Sequence, residues 1–411
     1  MAAVAAAILY ADARAGTEYQ IGTIEELRAA LVRAEPGSVL RLADGEYPVD
    51  ATLSVPDRIT IAGRDATLRA TGRWSGAMVI LGHRSTLAGL RIIDATDDTG
   101  TGFASNRNVV VVASRRPKDR VAAVIRDCDI ETDQVFGVGR DEPLGRAIVV
   151  QTRNPRDSAG AHVGARVALQ LERSKVRAPR SNSIFAANFA AGGRLSVEIQ
   201  SSQLAGTLSA VGGVSRPDLV TRADTRIRSV DSQYLAADCR GSGWGLFAGS
   251  GVAHPGFETA PGADSNQLSV ESLNDRITGY RIGIVAVGGR RVGALSGPSS
   301  GNIAQLRLRR LTIETCGEGA ADLQLSGARL EARAAGNAAL SPGDRNRLLV
   351  QIVDSVGSGT RANRYLSIDT PAALVEQSIG NQLRFDGSAS QFRNRNSGFD
   401  PLPAPALFER R

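Results

Sequence analysis

Three stretches decide the fold: Ala123–Ile130, AVIRDCDI; Ala168–Val176, ALQLERSKV; and Leu195–Leu204, LSVEIQSSQL. Each alternates apolar and polar residues, turns on a small polar residue, then resumes with one polar and one apolar residue. Seven more segments follow the rule: Ile59–Leu68, Leu87–Ile92, Ile227–Tyr234, Leu268–Ile277, Leu306–Ile313, Leu348–Val356 and Leu383–Phe392. Their last residues form an apolar column: Leu68, Ile92, Ile130, Val176, Leu204, Tyr234, Ile277, Ile313, Val356 and Phe392. The residue before each is polar: Thr67, Arg91, Asp129, Lys175, Gln203, Gln233, Arg276, Thr312, Ser355 and Gln391. Such inside-outside alternation, kept over ten repeats, is strand alternation held in register. One position earlier stand Ser174, Ser202, Ser232, Asp275, Asp354 and Ser390, suited to a tight corner. The repeats are 24 to 46 residues apart, a fixed rung with variable loops. No helices intervene, which excludes βαβ folds, and a sandwich would not hold one column for so long. The reading is an all-β, single-stranded parallel β-helix, a solenoid of about ten rungs.

Outside the repeat the chain reads differently. Thr23-Ile24-Glu25-Glu26 is a capping box, and Ile24, Leu27, Ala30, Leu31 and Ala34 continue at helical spacing until Pro36-Gly37. This predicts an N-terminal capping helix over 23–34, followed by short strands at Ser38–Leu42 and Ala51–Ile61. Pro371–Gln377 has room for one or two helical turns. Met1–Ala15 is apolar and ends on Ala13-Arg14-Ala15, a signal-like pattern without a basic start, or else a short helix. The expected organisation is 1–15 as that segment, 16–395 as the β-helix and 396–411 as a C-terminal tail. The tail, Pro-rich from Asp400 to Pro405, reads as an end cap or an extended arm lying along the solenoid, since an open last rung would expose a sheet edge.

Composition narrows the function. A chain of 411 residues that would ordinarily divide into domains is here one solenoid. Its 45 glycines fit a molecule with many corners. Lys118 and Lys175 are the only lysines, so 47 of the 49 basic residues are arginine (49 − 2), the cation that grips carboxylate, sulfate or phosphate in two-pronged fashion. Net charge is +7, but the arginines are interspersed with acids and no basic run carries aromatics, which argues against nucleic acid. No run of 18 apolar residues is present, so no membrane-spanning helix is expected. Cys128, Cys239 and Cys316 are too few and too far apart for a disulfide framework or a zinc site, and are expected as small buried residues. With only Trp74 and Trp244 as tryptophans, a neutral-sugar stacking platform is disfavoured.

The opening from Thr23 to Gly63, TIEELRAALVRAEPGSVLRLADGEYPVDATLSVPDRITIAG, resembles the start of the pectate-lyase-like right-handed parallel β-helix superfamily. Within it, the nearest look is to the alginate lyase and chondroitinase B group of polysaccharide lyases. There, a P-G-[DS]-x-[IVL]-x-L-x-[DP]-G-x-Y stretch forms the first rung, here Pro36–Tyr47, continued by STLAGLRI at Ser85–Ile92. The resemblance implies a right-handed solenoid and a uronate polymer as substrate. It also implies neutralisation of the substrate carboxylate by calcium or Arg, and removal of the C5 proton by Lys, Arg, His or Tyr. No stretch matches the group's Asn and Glu calcium ligands, so Ca2+ stays open and no metal ligand is named. Paired aspartates with Gly-His-Gly, and the D-P-H-D run of alginate epimerases, are absent.

Two sets of candidate residues follow. In Asp127–Asp133 every odd residue is acidic, and in Arg173–Arg177 every odd residue is basic. The columns set Asp127 against Arg173, Asp129 against Lys175 and Glu131 against Arg177, with Arg91 on the far side of Asp129. One reading is a charge ladder that keeps register; the other is a catalytic centre with Lys175 and Asp129 as acid and base. Arg276, in the same outward column, joins them as a catalytic candidate. The second set lies in the longest connections, 131–175, 235–276 and 314–355, where Arg146, Arg153, Arg240, Trp244 and His254 are candidates for binding an acidic polysaccharide.

Three functions stay open. The first is an exported, periplasmic or secreted enzyme cleaving a uronate polymer by β-elimination. The second is a non-catalytic surface, adhesin-like or scaffold β-helix. The third is a glycoside hydrolase, epimerase or other enzyme reusing the fold. The sequence does not decide the oligomeric state.

Overall fold

The computed structural model describes residues 16–72, 76–94, 107–133, 145–153, 163–215, 220–236, 243–253, 263–287, 300–316, 319–324, 346–359, 366–369, 382–386, 391–394, 398–401 and 406–409. Met1–Ala15 and Pro371–Gln377 lie outside them. A 13-stranded and a 20-stranded sheet account for nearly all of this chain. The larger holds two lines of pairing, so each rung has three faces. Arg120–Arg126, Arg166–Glu172 and Arg194–Gln200 are successive first-face strands, paired in parallel residue for residue. Asp129–Thr132 begins the second face, and Ile148–Gln151 the third, of one such rung. Lys175–Ala187 and Gln203–Val211 bend through the corner from second to third face and join the two lines.

The first face contains the ten aligned segments preceded by Glu18–Ile21 and Val39–Leu42, which makes twelve parallel strands. Its thirteenth, Ala406–Glu409, runs antiparallel to Gln382–Asp386, and Gly398–Pro401 pairs antiparallel with Gln391–Asn394. The tail thus folds back onto the last rung and covers sheet edges that would otherwise be unpaired. At the other end, helix Ile24–Arg33 is capped by Thr23, whose hydroxyl accepts from Glu26 N at 3.1 Å. The Glu26 carboxylate reaches back to Gly22 N at 2.7 Å. Ile24, Leu27, Ala30 and Leu31 are buried in the same core as Leu40, Leu42 and Tyr47 of the first rungs.

The apolar column from Leu68 to Ile313 is buried in one continuous core. It fails at one rung. Thr312 pairs with Val356, and Ile313 with Gly357, so Val356 sits in the outward column at 50% exposure. The corner explains the shift. After each of the seven first-face strands from Arg120–Arg126 to Arg347–Val353, one residue takes left-handed backbone: Asp127, Arg173, Ser201, Asp231, Asn274, Arg310 and Asp354, with φ between 44° and 58°. One buried residue follows, and only then the outward one. Asp354 is therefore the left-handed residue, Ser355 the buried one and Val356 the outward one. These corners are not built on glycine, so the high glycine content is only partly explained by them.

The buried corner residues form a hydroxyl ladder. Cys128 N donates to Ser174 Oγ, Ser174 N to Ser202 Oγ and Ser202 N to Ser232 Oγ, at 3.1 to 3.2 Å. Each of these hydroxyls donates back to the backbone two residues earlier. At the next rung Asp275 replaces serine, accepting from Ser232 N at 2.8 Å and from Ser272 Oγ at 2.5 Å. Its carboxylate is 2% exposed, and burial pushes its pKa above the ordinary range against the opposing hydrogen bonds. A raised pKa means that the fold favours the protonated form, so stability is full below the unfolded value of about 4 and falls as pH rises past it. Asp275→Asn keeps the Oδ1 acceptor and removes the charge. It is expected to raise the melting temperature at pH 7 and to leave it nearly unchanged near pH 4. Equal effects at both pH values would contradict the buried-charge account.

On the third face both sides are apolar. Val110, Ile148, Leu208 and Ile284 belong to the central core, whereas the alternate residues Val111, Val149, Phe247 and Val285 build two further buried clusters outside it. This explains why IVVQ and IGIVAV read as continuous apolar runs, as sheets covered on both sides do. Cys128 is buried and free, as expected of a small core residue. Cys316 differs from expectation in being disulfide-bonded; Cys239 lies outside the described residues.

Candidate functional site

The corner after Arg120–Arg126 and its neighbour after Arg166–Glu172 create the charged cluster on the second face. Asp129 and Lys175 are partners in register, as are Glu131 and Arg177, and Arg91 lies on the other side of Asp129. The ion pairs are not simply those of register. Arg173 holds Asp127 with two hydrogen bonds at 2.7 and 2.9 Å. Arg177 Nη2 donates to Glu131 at 2.7 Å and also to Asp129 Oδ2 at 3.1 Å, displacing Lys175 from the partner expected for it. Arg91 approaches Glu131 at 3.8 Å. The consequence is that Lys175 is exposed and forms no ion pair among the described residues. Asp129 Oδ1 is buried and has no hydrogen-bond partner.

Electrostatically the cluster is nearly self-compensated. The Arg173 guanidinium holds the Asp127 carboxyl below the usual range, and the hydrogen bond to Glu131 raises Arg177. The side chain best placed to meet an incoming anion is Lys175, with Arg91 two rungs away, roughly 10 Å along the axis at about 4.8 Å per rung. Arg276 is three rungs beyond Lys175 in the same column, roughly 14 Å away, and its Nη2 pairs with Glu314 at 2.9 Å. It does not join the cluster.

The loop candidates fall elsewhere. Arg146 and Arg153 flank the third-face strand Ile148–Gln151 and are 9% and 8% exposed, not solvated. Arg146 stacks over the Phe185 ring at 3.7 Å. Trp244, half-buried, opens the strand Trp244–Gly249, stacks on Phe247 at 5.5 Å and lies three rungs from Arg146. Arg240 and His254 lie outside the described residues, as does Trp74. The sequence candidates therefore split between two faces. A shallow depression on the first face, lined by Gln170, Glu198, Gln200 and Arg228, includes none of them.

Among the described residues no group of three or more His, Cys, Asp or Glu side chains is placed to hold a metal, and Asp129 and Glu131 are both engaged by Arg177.

The strand ladders define the class of protein, a parallel β-helix of one chain. No family model matches the chain, and no curated protein matches it. Among solved structures it is similar to ORF18 of Geobacillus virus E2, with 9% identity and a TM-score of 0.43 over 92% of this chain and 59% of that one. It is similar to a mannuronic-acid-specific family 6 polysaccharide lyase from human gut microbiota, with 13% identity and a TM-score of 0.38 over 92% and 87% of the two chains. It is also similar to an exopolygalacturonase from Thermotoga maritima, with 9% identity and a TM-score of 0.42 over 95% and 94%.

Proposed function

We propose that this protein is an exported β-helix enzyme that cleaves an acidic polysaccharide by β-elimination. The observation that carries the reading is Lys175: the unpaired cation of a charge cluster in which its arginine neighbours are engaged by carboxylates. Arg91, exposed and only loosely held by Glu131, binds the uronate carboxylate and draws charge from the adjacent carbon. In its neutral amine form Lys175 takes the C5 proton, the C4–C5 double bond forms and the C4–O bond breaks. The same Nζ then gives that proton to the departing oxygen, so the neutral amine is regenerated at the end of the turnover. Asp129, in register beside Lys175 but engaged by Arg177, carries no step in this reading. Arg276, three rungs on, contacts a more distant ring of the same polymer. The apolar, signal-like Met1–Ala15 and the disulfide at Cys316 support export into an oxidising compartment.

The test is ultraviolet absorbance of the unsaturated uronate product during incubation with alginate, pectate, hyaluronan or chondroitin, with and without calcium. A rise on one polymer is the expected result. No rise on any of them sinks the lyase reading for those polymers. A second reading, a non-catalytic glycan-binding β-helix, is favoured by the near-neutral pairing of the cluster and predicts binding without product.

A further inference from the structure

The entry edge of the first face carries a feature that the second-face cluster does not use. Arg120, Arg166 and Arg194 are the first residues of three consecutive strands and are partners in register, one directly over the next. All three are exposed, and among the described residues none forms an ion pair or a side-chain hydrogen bond. Like charges stacked directly across neighbouring strands destabilise a sheet, and at about 4.8 Å per rung these are as close as the fold permits. At two other places on the surface opposite charges face each other instead: Asp127 faces Arg173, and Glu271 faces Arg307 at 3.5 Å.

The nearby acids do not relieve the row. Asp119 spends its two oxygens on the backbone N–H groups of Arg115 and Arg120, at 2.9 and 3.0 Å. Asp224, next in register after Arg194, turns its carboxylate to Arg226 at 2.9 Å. Two more exposed cations without ion pairs are near: Lys118, at the left-handed corner two residues before Arg120, and Arg84, at the corner that opens the neighbouring strand Ser85–Ala88. The edge is thus a line of uncompensated positive charge with a one-rung repeat.

We infer that Arg120, Arg166 and Arg194 form an anion-binding track that holds an acidic polysaccharide along the solenoid axis, one carboxylate or sulfate per rung. A pyranose polymer with one acid per ring is a dense linear polyanion, and a row of guanidinium groups one rung apart offers it cationic donors along its length. Guanidinium groups grip such anions with two parallel N–H donors. Single-stranded nucleic acid fits less well, because the sites that hold it interleave aromatic side chains for base stacking, and the described residues of this edge present none. The track rests on the same substrate class as the proposed function but lies on a different face from Lys175, so it is a separate binding site.

The experiment compares R120Q/R166Q/R194Q with the control R41Q/R69Q/R307Q, in which three ion-paired arginines away from the row are lost. Both triple variants lower the net charge by three. Binding of the full chain to alginate, pectate and chondroitin sulfate is measured by calorimetry at low salt, with a single-stranded oligothymidylate as a further ligand. The track variant is expected to bind the polysaccharide about tenfold or more weakly, as three exposed contacts allow, with a flatter salt dependence. The control should bind nearly as wild type does. Relief of like-charge stacking should leave the track variant's melting temperature unchanged or raised, whereas a structural role for the row would lower it. Equal loss in both variants would mean general charge attraction and overturn the track. So would unaltered binding, or tighter binding of the oligonucleotide than of every polysaccharide. Wild-type binding that the track variant loses, without any unsaturated product, would keep the track and reject the lyase reading; product with unchanged binding would do the reverse.

Discussion

Lys175→Ala is expected to lower turnover on the uronate polymer by about 10²–10⁴-fold, the usual contribution of a positioned acid or base. Polymer binding should change little, because one exposed cation contributes little to holding a long polyanion. The Lys175→Arg variant separates the roles. Arginine keeps the charge but does not give up its proton at ordinary pH, so it should bind as wild type does and leave turnover low. Full activity in either variant would remove Lys175 from the reaction. The structure makes the experiment sharper than register alone, because Arg177 occupies the partner that Lys175 would otherwise have had. A loss on removing Lys175 cannot then be blamed on an ion pair.

Gly206→Ala is expected to destabilise the fold by roughly 3–5 kcal/mol, combining backbone strain with an overpacked corner. Gly206 has φ +123, and an added Cβ would lie 2.4 Å from Ala178 O and 2.8 Å from Ser181 O, both backbone atoms. It also receives the Tyr280 hydroxyl, which donates to Gly206 O at 2.8 Å and accepts from Gly206 N at 3.3 Å deep in the core. The comparison is Gly192→Ala, at φ +61 with nothing within 4 Å of the added carbon, which should cost only about 1–2 kcal/mol. Denaturant unfolding of the two variants measures the difference. Equal midpoints would mean that the bend from second to third face does not depend on this glycine.

Much of the second face was legible as sequence. An outward residue and an inward residue alternate there from Thr67-Leu68 to Thr312-Ile313, so Asp129, Lys175 and Arg276 could be placed in one column. The slip at Val356 shows what the pattern lacked: Asp354 and Ser355 are both small and polar, and only the backbone shows which one turns the corner. The arginine track was hidden differently. Arg120, Arg166 and Arg194 stand ahead of the aligned segments, and a longer repeat window would have shown an arginine in the same place three times running. The disulfide at Cys316 had no signal at all, because the sequence distance between cysteines is not their distance in a solenoid.

By itself the sequence determined the period, the identity of the inward column and the capped helix, because each rung buries its side chains only against its neighbours and must repeat their pattern. Tertiary structure alone decided which charges remain unpaired. An arginine side chain reaches across a rung as readily as along it, so Arg177 takes Asp129, Asp224 turns to Arg226, and Lys175 and the arginine track are left facing solvent.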